Sequence, residues 1–246
     1  MTRSLLSIET PDGDMPAHLW LPEGGTGPGV LLLQEIFGVS PYIERRAQDL
    51  ADAGYVVLVP EIFWRLGVSR VEEGPEALET AFGLLRRTDW RAAVADGAVS
   101  LDALRAQRAV SDRVGIVGFC FGGGLGFNVA ALSPADALVS YYGSALPELL
   151  GVLPFDASDA HLSVIDPASV ATPTLHHWGL ADTFIDRPVV EQVCAALESQ
   201  PDVRIETYEG GGHAFDNDDF MFYDADLATA AWQRTLGFLA ERLQAP

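Results

Sequence analysis

Unbroken apolar runs alternate with helical patterns along this chain, and that alternation leaves few folds open. Val30-Leu31-Leu32-Leu33 and Tyr55-Val56-Val57-Leu58-Val59 have no polar face. A strand that is apolar on both sides must be covered on both sides, as in a parallel sheet buried between helices. Residues 5–9 and 17–21 read as an opening strand pair joined by a turn at Pro11-Asp12-Gly13-Asp14. Further strands are expected at 114–118, 137–142, 174–178 and 203–208. A helix follows the first apolar run, with Ser40 as its cap, Pro41 in its first turn and Ile43, Ala47, Leu50 and Ala51 on one face. It should stop at Gly54. Residues 76–108 read as two helices broken near Thr88-Asp89, with Asp89 capping the second. Helical patterns at 124–132, 188–197 and 224–243 complete the series, and 154–169 reads as a polar, exposed loop. The class expected is α/β: a mostly parallel central sheet with helices on both faces. Sites in such sheets lie on loops at the carboxyl ends of the strands.

Length supports one such domain spanning 1–246 and is too short for two catalytic ones. No apolar run approaches the ~18–20 residues of a membrane span. The stretch Met1 to Glu9 has one basic residue and no long apolar segment, so it does not read as a signal peptide, and a cytoplasmic location is expected. The formal net charge is −20, and every basic residue besides histidine is arginine. Phosphate binding needs a basic footprint, so a nucleic-acid partner is not expected. Anionic membrane surfaces are disfavoured on the same ground. No unusual apolar surface stripe is evident, and a monomer is expected.

The sharpest chemical signal is Gly118-Phe119-Cys120-Phe121-Gly122-Gly123, between a strand and a helix. It has the form of a nucleophile elbow with cysteine as the nucleophile. The turn is tight, so a side chain at Gly118 or Gly122 would crowd the strand or helix beside it. The helix start offers backbone N–H groups and a positive dipole end, which favour a thiolate and later an oxyanion. The alternative is a glycine-rich turn around a buried cysteine.

A nucleophile needs a base, and the base needs an orienting acid. Behind such an elbow the chain order is nucleophile, acid, histidine. Gly179-Leu180-Ala181-Asp182 follows one predicted strand, and Gly210-Gly211-Gly212-His213 follows the next. Asp186 is a rival acid, better placed to cap the helix ahead of Pro188. His18 sits within a strand and His161 in the irregular loop. Of His176 and His177, one is expected in the core and the other against a helix. The oxyanion donors should be the N–H of Phe121, after the nucleophile, and the N–H of Ile36, after the early strand. Glu35 directly follows a buried apolar run, where an unpaired carboxylate costs several kcal/mol. It either faces Cys120 or is salt-bridged to Arg45 or Arg46, and the residues alone leave both open.

The sequence holds no H-E-x-x-H, no Cys/His cluster and no dinucleotide fingerprint, so no metal or organic cofactor is implied. Of the two cysteines, Cys194 lies in an apolar helical pattern and reads as a small buried hydrophobe. The residues so far leave open a carboxylesterase or thioesterase, a non-catalytic ligand-binding protein and a redox-sensing thiol.

Gln34-Glu35-Ile36-Phe37-Gly38, the Cys120 elbow, Gly179-Leu180-Ala181-Asp182 and Gly212-His213-Ala214-Phe215 together resemble the dienelactone hydrolases (carboxymethylenebutenolidases) of the α/β-hydrolase fold. The resemblance spans nearly the whole chain and includes Tyr141-Tyr142-Gly143. It implies a triad of Cys120, His213 and Asp182, with Ile36 and Phe121 at the oxyanion. It also implies that Glu35 holds or takes the thiol proton until substrate arrives. Phe37, Phe82, Tyr142 and Asn217 are the side chains expected to contact a small ester or lactone. The family holds a substrate carboxylate with two arginines, and this chain departs from that pattern. After His213 it has Asp216 and Asn217, and near 76–82 it has Leu78 and Phe82, leaving Arg86 or Arg87 as replacements. A bidentate arginine–carboxylate contact is not replaced by asparagine or leucine. A neutral ester or lactone is therefore expected in place of an anionic dienelactone.

Overall fold

A computed structural model describes residues 2–156 and 162–244 of the chain. Eight strands form one sheet in the order β1-β2-β4-β3-β5-β6-β7-β8. β1 (Thr2–Thr10) and β2 (Gly13–Leu21) are the antiparallel pair, and β2 also runs antiparallel to β4 (Val56–Pro60). From β4 onward the sheet is parallel: β3 (Gly27–Leu33), β5 (Val110–Phe119), β6 (Ala137–Tyr141), β7 (Thr174–Gly179) and β8 (Val203–Tyr208). The apolar runs of β3, β4 and β6 lie in its centre with almost every side chain buried.

The helices are α1 (Pro41–Asp52), α2 (Ala77–Leu85), α3 (Trp90–Arg105), α4 (Phe121–Leu132), α5 (Leu146–Leu149), α6 (Arg187–Leu197) and α7 (Ala225–Leu239). Side chains alternate across a strand, and that parity sorts the helices onto faces. Gly29 of β3 abuts Leu104 of α3, and Leu33 on the same face abuts Gly126 of α4. Gly115 of β5 points the other way, towards Leu243 in the single π-type turn Ala240–Gln244 that extends α7. Phe119, on that second face, meets Tyr42 of α1 edge-on. Helices thus cover both faces, as the alternation predicts.

Two expected caps, Ser40 and Asp89, act through their side chains, and Asp224 caps α7 in the same way. Ser40 accepts from the N–H of Ile43, Asp89 from Ala92, and Asp224 from Asp226 and Leu227. Asp186 stands at the N-cap of α6, but its side chain makes no capping bond. The short helix α5 was not expected, and α4 begins three residues earlier than its pattern indicates. His161 lies outside the described residues. His176 and His177 are both fully buried, one on each face. His177 bonds the hydroxyls of Tyr208 and Thr235, whereas His176 packs near Phe127 with neither ring nitrogen paired. Burial pushes both imidazoles down to about 3, so both are neutral.

Candidate active site

β5 ends at Phe119 and α4 begins at Phe121, so Cys120 alone makes the turn. Its backbone sits at φ 50° and ψ −113°. A β-carbon at Gly118 would lie 2.0 Å from the Gly122 carbonyl oxygen, and one at Gly122 would lie 2.3 Å from that of Leu33. Both positions therefore admit only glycine, as the tightness of an elbow requires. Tyr142, Ala145 and Ala214 are the other non-glycine residues with positive φ among those described, and all adjoin the same turn or its partners. Strain of this kind collects where surrounding structure over-determines a site.

The loops after β7 and β8 are tied together by the N–H of Ala181 donating to Gly211 and that of Leu180 donating to Tyr208. Asp182 is fixed by two backbone donors: its Oδ1 accepts from Phe184 at 2.7 Å and from Ile185 at 3.0 Å. Its Oδ2 is thereby held 2.7 Å from Nδ1 of His213. The opposite ring nitrogen, Nε2, lies 3.1 Å from Sγ of Cys120. A carboxylate at Nδ1 keeps the proton there and presents Nε2 to the sulfur. Tyr142 and Phe184 hold the ring, with centroids 5.0 and 5.1 Å from it. Burial works against charge on His213, but the Cys120 sulfur and Asp182 outweigh it and raise the imidazole above its ordinary value. Ser144, which the sequence did not single out, brings its hydroxyl within 3.8 Å of Sγ.

Glu35 is 3 % exposed and belongs to this site. The arginines offered as partners are engaged elsewhere: Arg45 with Asp218 and Asp219, Arg46 with Asp49. Glu35 instead receives the side-chain amide of Asn217, at 3.2 and 3.3 Å to its two oxygens. Burial, and then the neighbouring Asp216, push its carboxyl up to about 8.

A cavity of about 500 Å³ opens over Cys120 and His213. Glu35, Ile36, Phe37, Leu78, Phe82 and Phe184 are among its walls. Two expected contact residues, Phe37 and Phe82, are therefore present. Two are not. Tyr142 is fully buried and turns its hydroxyl to Asp216, away from the cavity. Asn217 is buried with its amide taken up by Glu35, and it lines an adjoining cavity that shares Glu35, Phe37, Leu78 and Phe220 with this one. Neither Arg86 nor Arg87 reaches the lining, and no arginine does among the described residues. The ionisable groups there besides His213 and Cys120 are Glu35, Glu148 and Asp186, all acids. No cluster of His, Cys, Asp and Glu suited to a metal ion occurs among the described residues. Cys194, on α6, has its thiol pushed up to about 11 by burial and by Glu198 and Glu191.

A mostly parallel eight-stranded sheet with a nucleophile elbow, and an acid and a histidine on the loops after its last two strands, defines an α/β-hydrolase. The comparisons narrow the class. A sequence model of the dienelactone hydrolase family matches residues 15–243. A carboxymethylenebutenolidase of Pseudomonas putida is 30 % identical over 238 residues, covering 96 % of this chain and 95 % of the relative. Carboxymethylenebutenolidase 1 of Cupriavidus pinatubonensis is 30 % identical over 234 residues, covering 93 % and 92 %. A crystal structure from Klebsiella pneumoniae, described as a dienelactone hydrolase, superposes with a TM-score of 0.83 at 26 % identity, covering 98 % of both chains. The chain belongs to the dienelactone hydrolase family and is a carboxylic ester hydrolase.

Proposed function

We propose that this chain hydrolyses neutral, largely apolar esters or lactones through Cys120, His213 and Asp182, by way of an acyl-enzyme thioester. The observation that carries the proposal is the placement of His213 between Cys120 Sγ, at 3.1 Å, and Asp182 Oδ2, at 2.7 Å. That spacing lets Nε2 take the thiol proton while the carboxylate stabilises the resulting imidazolium. The sulfur then adds to the ester carbonyl. The N–H groups of Ile36 and Phe121 receive the oxyanion, and Phe121, as the first residue of α4, has an N–H that needs a partner. The C–O bond breaks, and the leaving oxygen takes the proton from His213. In the second half, His213 removes a proton from water, which adds to the thioester. The C–S bond then breaks, and the free acid is released with the thiol restored.

The preference for a neutral substrate rests on the cavity. Its walls are largely aromatic and aliphatic, and among the described residues the ionisable side chains there besides His213 and Cys120 are acids. An anionic substrate would be desolvated against carboxylates with no cation to receive it. The same walls suit a plain carboxylester as well as a lactone. Hydrolysis of an uncharged p-nitrophenyl ester and of a dienelactone by wild type and Cys120→Ala tests both halves. Activity lost in the variant, with the neutral ester favoured, is expected. Turnover unchanged in Cys120→Ala would end the cysteine mechanism, and a preference for the dienelactone would end the neutral-substrate reading.

A further inference from the structure

Asp216 and Glu35 are both buried carboxylates, 1 % and 3 % exposed; Glu35 lines the cavity with Cys120, and Asn217, the residue after Asp216, bonds Glu35. Two carboxylates that interact in a low-dielectric interior do not both ionise at neutral pH; one keeps a proton. The donor sets decide which one. Asp216 receives a hydroxyl on each oxygen: Tyr42 donates to Oδ2 at 2.6 Å, and Tyr142 donates to Oδ1. The guanidinium of Arg46 lies on the same side, 5.5 Å from the Tyr42 ring centre. Glu35 receives a single neutral amide divided between its oxygens. Burial raises Asp216 above its ordinary value too, but its two hydroxyl donors and Arg46 oppose that rise, whereas Glu35 has only the amide of Asn217 and His213 to oppose its own, so the negative charge belongs to Asp216.

We propose that Asp216 is a positioning residue whose charge, fixed by Tyr42 and Tyr142, holds the proton on Glu35, so that Glu35 serves in the cavity as a neutral hydrogen-bond donor and not as the base for the Cys120 thiol. The thiol proton then has one acceptor, Nε2 of His213: the S–H bond breaks, the N–H bond forms, and Asp182 balances the imidazolium. This departs from the role that the family resemblance implies for Glu35. It rests on the reading of Cys120 as the nucleophile. Other groups facing Glu35 do not reverse the assignment. His213 favours its ionisation, but Asp219 opposes it, and Asp219 is itself tied to Arg45. Tyr42 and Tyr142 are both pushed well above the ordinary phenol value by burial and by Asp216, so they remain donors.

Infrared difference spectroscopy of the substrate-free protein, wild type against Glu35→Gln, reads the proton directly and needs no turnover. A carboxylic-acid carbonyl band at neutral pH that disappears with alkaline titration is expected. In Asp216→Asn that titration should move about one pH unit lower, because a like charge has been removed. Tyr42→Phe should move it the same way by less, and serves if Asp216→Asn folds poorly. The kinetic counterpart is kcat/KM against pH on a neutral ester. Wild type should lose activity as pH rises through about 8. Asp216→Asn should lose it earlier, and the activity that Glu35→Gln retains should show no such alkaline loss. No carboxylic-acid band at neutral pH, a titration that Asp216→Asn leaves in place, or an alkaline loss that persists in Glu35→Gln would overturn the proposal. Failure of the Cys120→Ala test alone would leave the band untouched, so the two readings fail separately.

Discussion

His213 Nε2 stands 3.1 Å from Cys120 Sγ although the two residues are 93 positions apart, and the loop bearing His213 is held by Asp182. The precision of that contact depends on Asp182, because two backbone N–H groups on Oδ1 leave only Oδ2 to meet the ring. In Asp182→Asn the side chain can keep its bonds to Phe184 and Ile185 while turning an NH₂ towards Nδ1. The imidazole would then carry its proton on Nε2 and lose its capacity to accept the thiol proton. We expect kcat to fall by on the order of a thousandfold or more, with KM and the thermal midpoint little changed. Steady-state kinetics with a melting curve on the same sample checks this. A loss confined to KM would argue against the assigned role.

Backbone clearance gives a second expectation. Gly118→Ala drives a methyl group into the Gly122 carbonyl, 2.0 Å away, where no side chain can yield. The turn must open, and we expect a loss of about 2–4 kcal/mol along with the activity. Gly237 is the control. It lies in α7, and a methyl group added there would meet nothing within 4 Å, so Gly237→Ala should stabilise by about 0.5–1 kcal/mol. Urea denaturation of the pair should give opposite signs.

Local patterns carried the parts of this fold that local physics dictates. Ser40, Asp89 and Asp224 cap helices because their short oxygens reach free N–H groups two or three residues on. The unbroken runs of β3 and β4 are central strands because nothing polar interrupts them. The elbow was legible because its glycines and its strand–helix setting are contiguous. The environment of Glu35 was not, since it is assembled from α1, the end of β6 and the loop after β8, and only packing makes Tyr42, Tyr142 and Asp216 neighbours. The same holds for Asn217, which reads as a cavity residue by position and is claimed by Glu35 in the fold. Helix α5 escaped because four residues following a left-handed Ala145 carry no periodicity.

The cavity makes a third expectation concrete. Leu78, half-buried on α2, lines it beside Phe82. Leu78→Arg adds a permanent cation to walls whose described residues include Glu35, Glu148 and Asp186 and no arginine. We expect kcat/KM for a dienelactone or another carboxylate-bearing ester to rise relative to a neutral ester by about tenfold, the worth of one partly screened ion pair of about 1.4 kcal/mol. The ratio of the two specificity constants, compared with that of Leu78→Gln, is the measurement. An equal ratio in both variants would show that charge in this cavity does not select the substrate.

His176 supplies the last expectation, because it is a buried base with no partner. Its imidazole is held down to about 3 by burial, against an ordinary value near 6.5 in the unfolded chain. The unfolded state therefore binds a proton that the folded state refuses throughout the window between those values. By linkage, stability from this group is intact above pH ~6.5 and is lost as pH falls, by up to about 1.4 kcal/mol per pH unit. His177 adds a parallel loss, since burial pushes it to about 3 as well. His177, however, bonds Tyr208 and Thr235, and replacing it would leave those hydroxyls unsatisfied. His176 can be replaced without that penalty, since neither ring nitrogen has a partner and Phe127 lies alongside. His176→Leu should therefore flatten the decline in unfolding free energy between pH 7 and pH 5 and leave the pH 7 value equal or higher. Urea denaturation at the two pH values gives both numbers. An unchanged slope would mean that His176 already takes up its proton in the folded state.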